Sequence, residues 1–239
     1  MNTIKFEKKN TLAVAHRGLS GIERENTNAA FVAAGNRSYY GIETDIHRTA
    51  DGRFIVNHDM TLARVAGENI TVEEVSLAVL QNVVLFDKDG SKDRLDLIPC
   101  TLENYINICK KYEKHCVLEL KSDFTDEETD RYIEIIKSLE YLDNVTFISF
   151  TYANLLRIRA RLPEQSVQFL FSEVTEEIIE RLIADKIDVD IRYTCLNAEL
   201  VKRFHDAGLV VNCWTVDDKE KAEALAAMGV DFITTNILE

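Results

Sequence analysis

Past its midpoint this chain repeats one unit: a short apolar run, an amphipathic stretch of helical period, then another apolar run. Residues 117–120, 145–150, 167–171, 189–191, 210–213 and 232–234 read as strands, too short and too β-branched for helices. Between them 126–140, 151–162, 175–186, 197–207 and 217–228 read as helices, the last two ended by Gly208 and Gly229. The first half follows the same pattern less regularly. Strands are expected at 12–15 and 42–46, helices at 25–37 and 101–111, and a turn at 51–53 leads into the short run Phe54-Ile55-Val56. With that run set aside as an extra hairpin element, about eight strands remain. Strand–helix alternation over such a length predicts an α/β fold of the (β/α)8 TIM-barrel type. A doubly wound open sheet is the runner-up, lowered because no G-x-G-x-x-G or Walker loop follows any strand. Residues 60–100 are charge-rich and aperiodic, and read as a segment inserted after the second-strand region of a single domain spanning 1–239. Little chain follows residue 234 to build an eighth helix.

At 239 residues and 46% apolar content the chain can bury a substantial core. A formal net charge of −13 disfavours nucleic acid or an anionic membrane surface as a partner. Any anionic ligand must instead meet locally placed positive charge or a metal. Five cysteines, an odd number, show neither a disulfide framework nor a zinc spacing, and read as small core residues in a reducing compartment. The N-terminus has no apolar signal core and no stretch approaches a membrane span, so a cytoplasmic location is expected. Oligomeric state is not legible.

Reactive groups concentrate between Ala15 and Asp59. Side chains two apart on a strand share a face, so Glu43 and Asp45 point together, as do Glu119 and Lys121. All four close their apolar runs, at the end where barrels keep their active sites. His16 and Arg17 follow the first strand, His58 follows the Phe54 run, and Trp214 follows the seventh strand. Three converging carboxylates repel one another. An all-oxygen set of Glu43, Asp45 and Glu119 suits one divalent cation, Mg2+ or Ca2+, better than zinc; the blander reading pairs one of them with Lys121 or Arg17 and needs no metal. His16 and His58 are candidates for proton transfer, because imidazole titrates near neutral pH. Arg17 and Lys121 suit phosphate oxygens, and Trp214 an apolar wall over a ligand. His47 continues the parity of Glu43 and Asp45, but with the strand expected to end there it reads as a supporting or surface residue. His115 belongs at the opposite face of the barrel and His205 on an outer helix.

These residues resemble the glycerophosphodiester phosphodiesterase family. The resemblance is carried by His16-Arg17-Gly18, Glu25-Asn26-Thr27, Glu43-x-Asp45, Asp51-Gly52, and His58-Asp59 with Leu62 and Arg64. Farther on, Glu119-Leu120-Lys121 and Trp214-Thr215-Val216 continue it. It covers nearly the whole chain. It implies a barrel with a small insertion and cation-dependent hydrolysis of a small glycerophosphodiester to an alcohol and glycerol 3-phosphate. It also implies His16 and His58 as the acid/base pair, Glu43, Asp45 and Glu119 as metal ligands, and Arg17 and Lys121 on the phosphate. Two positions depart from the family pattern: Arg24 stands where proline is usual, and Asn236 where a T-D-x-P ending is common. Neither is expected to touch the chemistry directly. Two other readings use the same site: a lysophospholipase D- or phospholipase C-like enzyme, disfavoured by the lack of an anchor or cationic amphipathic helix, and an inactive phosphodiester-binding module, disfavoured because every proposed catalytic position is present.

Overall fold

A computed structural model describes residues 2–239. Its strands are β1 (Leu12–Ala15), β2 (Gly41–Arg48), β3 (Phe54–Val56), β4 (His115–Leu120), β5 (Val145–Ser149), β6 (Val167–Phe171), β7 (Asp188–Arg192), β8 (Val211–Trp214) and β9 (Phe232–Thr235). Eight of them pair in parallel, and β1 closes the ring by pairing with both β2 and β9. This is the expected closed barrel, and it leaves no room for the open-sheet alternative. Only β3 is antiparallel, a hairpin on β2 with Ile46 opposite Val56 and Arg48 opposite Phe54. That pairing extends β2 past the expected end at residue 46, because it gives His47 and Arg48 backbone partners.

The barrel helices are α1 (Asn28–Gly35), α4 (Leu102–Lys111), α5 (Asp126–Ser138), α6 (Tyr152–Arg161), α7 (Glu176–Asp185), α8 (Ala198–Asp206) and α9 (Lys219–Met228). Local chemistry explains where they start. Thr125 and Glu128 form a reciprocal capping box on α5, and Thr101, Thr175, Asn197 and Asp218 cap their helices through side-chain oxygens. The expected helix from residue 25 begins three residues later. Thr27 is its N-cap, and Asn26, at φ 58°, is turned out of helical geometry toward the barrel mouth.

Between β3 and α4 the inserted segment folds into two short helices, α2 (Ala63–Ala66) and α3 (Leu77–Leu80), around a 3-10 turn at Val72–Glu74. It has a small apolar cluster of its own, in which Leu62, Val65, Val72, Leu80, Leu85 and Leu97 pack on Ile55. The main core lies between sheet and helices. Inside the barrel a second, smaller cluster of Val14, Val117, Ile148 and Leu170, with Trp214 and Phe232 against it, forms the apolar floor beneath the site. Among the described residues no helix is long and apolar enough to cross a membrane, and all five cysteines are unbonded.

Candidate active site

The β2–β4 register sets Asp45 beside Glu119, and Glu43 lies two residues back on the same face. Glu43, Asp45 and Glu119 are all buried, and each offers an oxygen within 4.8 Å of those of the other two. Each also has a protein partner. The Arg17 amide donates to Glu43 Oε2 at 2.8 Å, Asn26 Nδ2 donates to Asp45 Oδ2 at 2.8 Å, and Lys121 Nζ stands 2.9 Å from Glu119 Oε1. Asp45 Oδ1 is fully buried and makes no hydrogen bond, although it lies 3.8 Å from Lys121 Nζ, within ion-pair distance.

The electrostatics follow from this crowding. Burial, and then the Asp45 charge, hold the Glu43 carboxyl well above the usual carboxylate range. Burial and Asp45 likewise push Glu119 up to about 8, against the pull of Lys121. For Asp45 burial acts upward too, but Arg17, His58 and Lys121 outweigh it and lower its pKa. The protein alone therefore ionises Asp45 readily and leaves its two neighbours reluctant. An orphaned buried oxygen inside an all-carboxylate cluster fits a hard divalent cation, which would let all three acids ionise. Three pairings of the metal-free reading are present: Lys121 with Glu119, Arg17 near Asp45, and Lys121 with Asp45 Oδ1 at 3.8 Å. None of them gives Asp45 Oδ1 a hydrogen bond.

The histidines flank the cluster. His16 Nε2 lies 4.0 Å from Glu43 Oε2, and its Nδ1 is 2.8 Å from Asn236 Oδ1. Burial, then Arg17, lower its pKa to about 4. His58 is also lowered by burial, while Asp45 and its hydrogen bond to Asp59 act the other way. His58 Nδ1 is 2.7 Å from Asp59 Oδ1, and Arg64 Nε donates to Asp59 Oδ2 at 2.7 Å. Arg64 then grips both oxygens of Glu25 at 2.7 and 2.9 Å, and Glu25 takes Arg17 Nη1 at 2.9 Å. One continuous chain of charges thus runs from His58 through the inserted segment to Arg17. Arg17 itself sits at φ 53°, a left-handed conformation uncommon for a side-chain-bearing residue, which turns its amide onto Glu43. The neighbouring Gly18, at φ 76°, cannot be replaced cheaply, since a Cβ there would come within 2.7 Å of the Ala30 backbone.

His16, Arg17, Glu43, His58 and Glu119 line one cavity of about 160 Å³. Its other wall is Ile148, Phe150, Leu170 and Trp214, with Phe150 and Trp214 edge to face at 5.7 Å. Lys121 reaches this region through Glu119 and lies 6.0 Å from the Phe150 ring centroid. All eight predicted site residues are therefore brought to one end of the barrel. His115 packs at the far end against Tyr40 and Thr146, and His205 pairs with Asp231 on the outside, both as expected.

Of the two readings of His47, the structure takes the supporting one: it is 1% exposed, with Nδ1 3.4 Å from Glu73 and Nε2 3.4 Å from the His58 carbonyl. One expectation needs correction. Asn236 does touch the proposed chemistry, because it holds His16 by the ring nitrogen facing away from Glu43. Asp217 in turn fixes Asn236, accepting from its Nδ2 at 2.6 Å and its backbone amide at 2.8 Å. Arg24 tethers the inserted segment by donating to the Phe86 and Asp87 carbonyls. The sequence reading also missed Asp59 and Glu25 as tethers, Phe150 in the apolar wall, and Asp190, a buried acid in the same cavity.

The fold and site define a barrel hydrolase whose carboxylates, imidazoles and cations face one small cavity. The family model for the glycerophosphoryl diester phosphodiesterase family matches residues 16–239, and the chain belongs to that family. It is 29% identical over 229 residues to a glycerophosphodiester phosphodiesterase of Caldanaerobacter subterraneus subsp. tengcongensis, a match covering 95% of this chain and 94% of the relative. Among solved structures it is similar to a phosphodiesterase of Oleispira antarctica in complex with the product sn-glycerol-3-phosphate, with TM-score 0.87 and 26% identity, covering 94% of this chain and 92% of that one. A glycerophosphodiester phosphodiesterase of Parabacteroides distasonis gives TM-score 0.81 at 27% identity, over 96% and 94% of the two chains.

Proposed function

We propose that this chain hydrolyses glycerophosphodiesters to an alcohol and glycerol 3-phosphate, using a divalent cation, Mg2+ or Ca2+, held by Glu43, Asp45 and Glu119. One observation carries the reading: two imidazoles and two carboxylates, Glu43 and Glu119, line a single cavity, and Asp45 completes a buried acidic triad with them. The Oleispira relative, solved with sn-glycerol-3-phosphate, supports the product. When bound, the cation supplies positive charge for the non-bridging phosphate oxygens, where charge builds in the transition state. Arg17 and Lys121 orient the phosphate. Arg17 is already drawn toward the triad, with Nε 3.5 Å from Asp45 Oδ2.

The two imidazoles divide the proton transfers. His16 is deeply buried and held by a neutral amide, so its uncharged form is favoured and it serves as base toward the glycerol hydroxyl that attacks phosphorus. His58 is hydrogen-bonded to the Asp59 carboxylate, which works against the lowering by burial, and it protonates the oxygen of the departing alcohol. The P–O bond to the alcohol breaks as the new one closes a cyclic phosphate. Water then opens that ring with the proton roles reversed, giving glycerol 3-phosphate. We read residues 1–239 as one barrel domain acting in the cytoplasm, where its five free cysteines would stay reduced.

The test is release of glycerol 3-phosphate from glycerophosphocholine by purified protein with Mg2+ or Ca2+. Chelation, Glu119→Gln and His58→Ala should each abolish it. Turnover that survives chelation together with His16→Ala would overturn the reading.

A further inference from the structure

Asp190 has no role in the chemistry above, and its surroundings do not explain it. It lies in the middle of β7, 1% exposed, between Val189 and Ile191, which point into the core outside the barrel. Its own side chain therefore points inward, where it lines the active-site cavity. Its Oδ1 has no hydrogen-bond partner, and no ion pair to it forms among the described residues. The polar groups nearby are already committed to one another: Asn212, its register partner on β8, donates to Gln168 at 3.1 Å and accepts from Thr234 at 3.2 Å. Trp214 donates its indole N–H to the Asp190 backbone oxygen at 3.2 Å, which roofs the residue and leaves the carboxyl untouched. Nor does Asp190 belong to the acidic triad, which is Glu43, Asp45 and Glu119 alone.

A buried carboxyl with an unmade hydrogen bond is costly unless a ligand completes it. The cavity tells which part of a ligand arrives there. The groups suited to the phosphate, Arg17, Lys121, His16 and His58, come from the β1, β2 and β4 side, whereas Asp190 stands across the barrel among Ile148, Leu170 and Trp214. A ligand reaching both must be anionic at one end and carry a hydrogen-bonding group on a short carbon skeleton at the other. We propose that Asp190 is a specificity residue that hydrogen-bonds the free terminal hydroxyl of the substrate's glycerol moiety, with Ile148, Leu170 and Trp214 covering its carbons. This rests on the hydrolytic reading above and adds the feature that separates a glycerol diester from a simpler diester.

The experiment compares two substrates that keep the attacking hydroxyl and differ only at the terminal one: glycerophosphocholine and 2-hydroxypropyl phosphocholine. The unaltered protein should prefer the first by about tenfold or more in kcat/KM, the size of one well-placed hydrogen bond in a closed site. In Asp190→Leu the preference should fall to within about twofold of unity, while Asp190→Asn should keep most of it. Both variants should melt no lower than the parent, since each removes a buried unpaired acid. Equal turnover of the two substrates by the unaltered protein, or an undiminished preference in Asp190→Leu, overturns the assignment and leaves the hydrolytic reading standing. A third arm sets glycerophosphoglycerol against glycerophosphocholine. If Asp190→Leu changes that ratio instead, the carboxyl faces the leaving alcohol and the assignment is wrong. If no diester is turned over, the hydrolytic reading fails on its own account. Asp190 is then judged by the melting shift with glycerol 3-phosphate against 1,2-propanediol phosphate, and equal shifts reject it.

Discussion

Glu25→Gln should destabilise the protein in a pH-dependent way, and the size of the effect follows from the clamp around this carboxylate. Burial works against its charge, but the Arg64 hydrogen bonds and then Arg17 prevail and hold it at about 2, where an ordinary glutamate titrates at 4.5. Only 16% of the side chain is exposed, so solvent screens the clamp little. A carboxylate depressed this far contributes roughly 3 kcal/mol wherever both folded and unfolded forms are ionised, above about pH 4.5. The sign is that of an acid with a lowered folded pKa: the contribution is full at neutral pH and is lost as pH falls toward 2, with roughly 1.5 kcal/mol left at pH 3. Glutamine keeps the shape and cannot titrate. Urea unfolding of parent and variant, measured from pH 3 to pH 7, should therefore give curves that converge on acidification, the gap narrowing by about 2 kcal/mol. A gap that stays constant across that range would show that Glu25 contributes by packing rather than by charge, and would refute the argument. The same substitution frees Arg17 and Arg64, so kcat/KM at neutral pH should also drop at least tenfold, because displacements on the order of 1 Å at a reacting site cost up to about 10²-fold.

The other expectations are briefer. Asn236→Ala removes the acceptor on His16 Nδ1; turnover of glycerophosphocholine should fall about 10²-fold with little change in KM, as for loss of a positioned proton-transfer group. Gly18→Ala combines φ 76° with a 2.7 Å approach to the Ala30 backbone; it should cost roughly 2 kcal/mol or more by urea unfolding, whereas Gly90→Ala, with open space around it, serves as the control for positive φ alone. Mg2+ or Ca2+ at about a hundred times its dissociation constant should raise stability by about 2.7 kcal/mol, and a chelator should remove that gain. Glu119→Gln should lose most of the response, read as the melting shift on adding the ion; an unchanged shift would place the ion elsewhere.

The barrel was legible because its signal is carried many times over. Each apolar run predicts a strand weakly, but a regular series of them separated by helical stretches leaves few other solutions. Strand parity then placed Glu43 with Asp45 and Glu119 with Lys121, and the β2–β4 register brought the pairs together. What escaped were effects of one element on another. Strand β2 outran its expected end because β3 pairs back on it, and the first helix started late because Asn26 is drawn to Asp45. His47 was buried for the same reason: the inserted segment that covers it shows no periodicity from which its path could be read.

The deepest misses concern polar residues whose partners lie far along the chain. His16 and Asn236 are 220 residues apart, and nothing near either one announces the hydrogen bond between them. A position that looked like a mere departure at the chain's end proves to set the orientation of an imidazole. Asp190 was different, because its signal was present. A single aspartate between Val189 and Ile191 on a strand of period two must turn inward if its neighbours turn outward, and inside a barrel an inward acid needs a partner. Among the described residues none reaches Asp190 Oδ1. The carboxylates of β2 and β4 are answered by Arg17 and Lys121 from the same side of the cavity, and Asp190 Oδ1 on β7 is answered by nothing among the described residues. By the rule that buried polar groups are satisfied, the missing partner of Asp190 is to be sought in what the cavity binds.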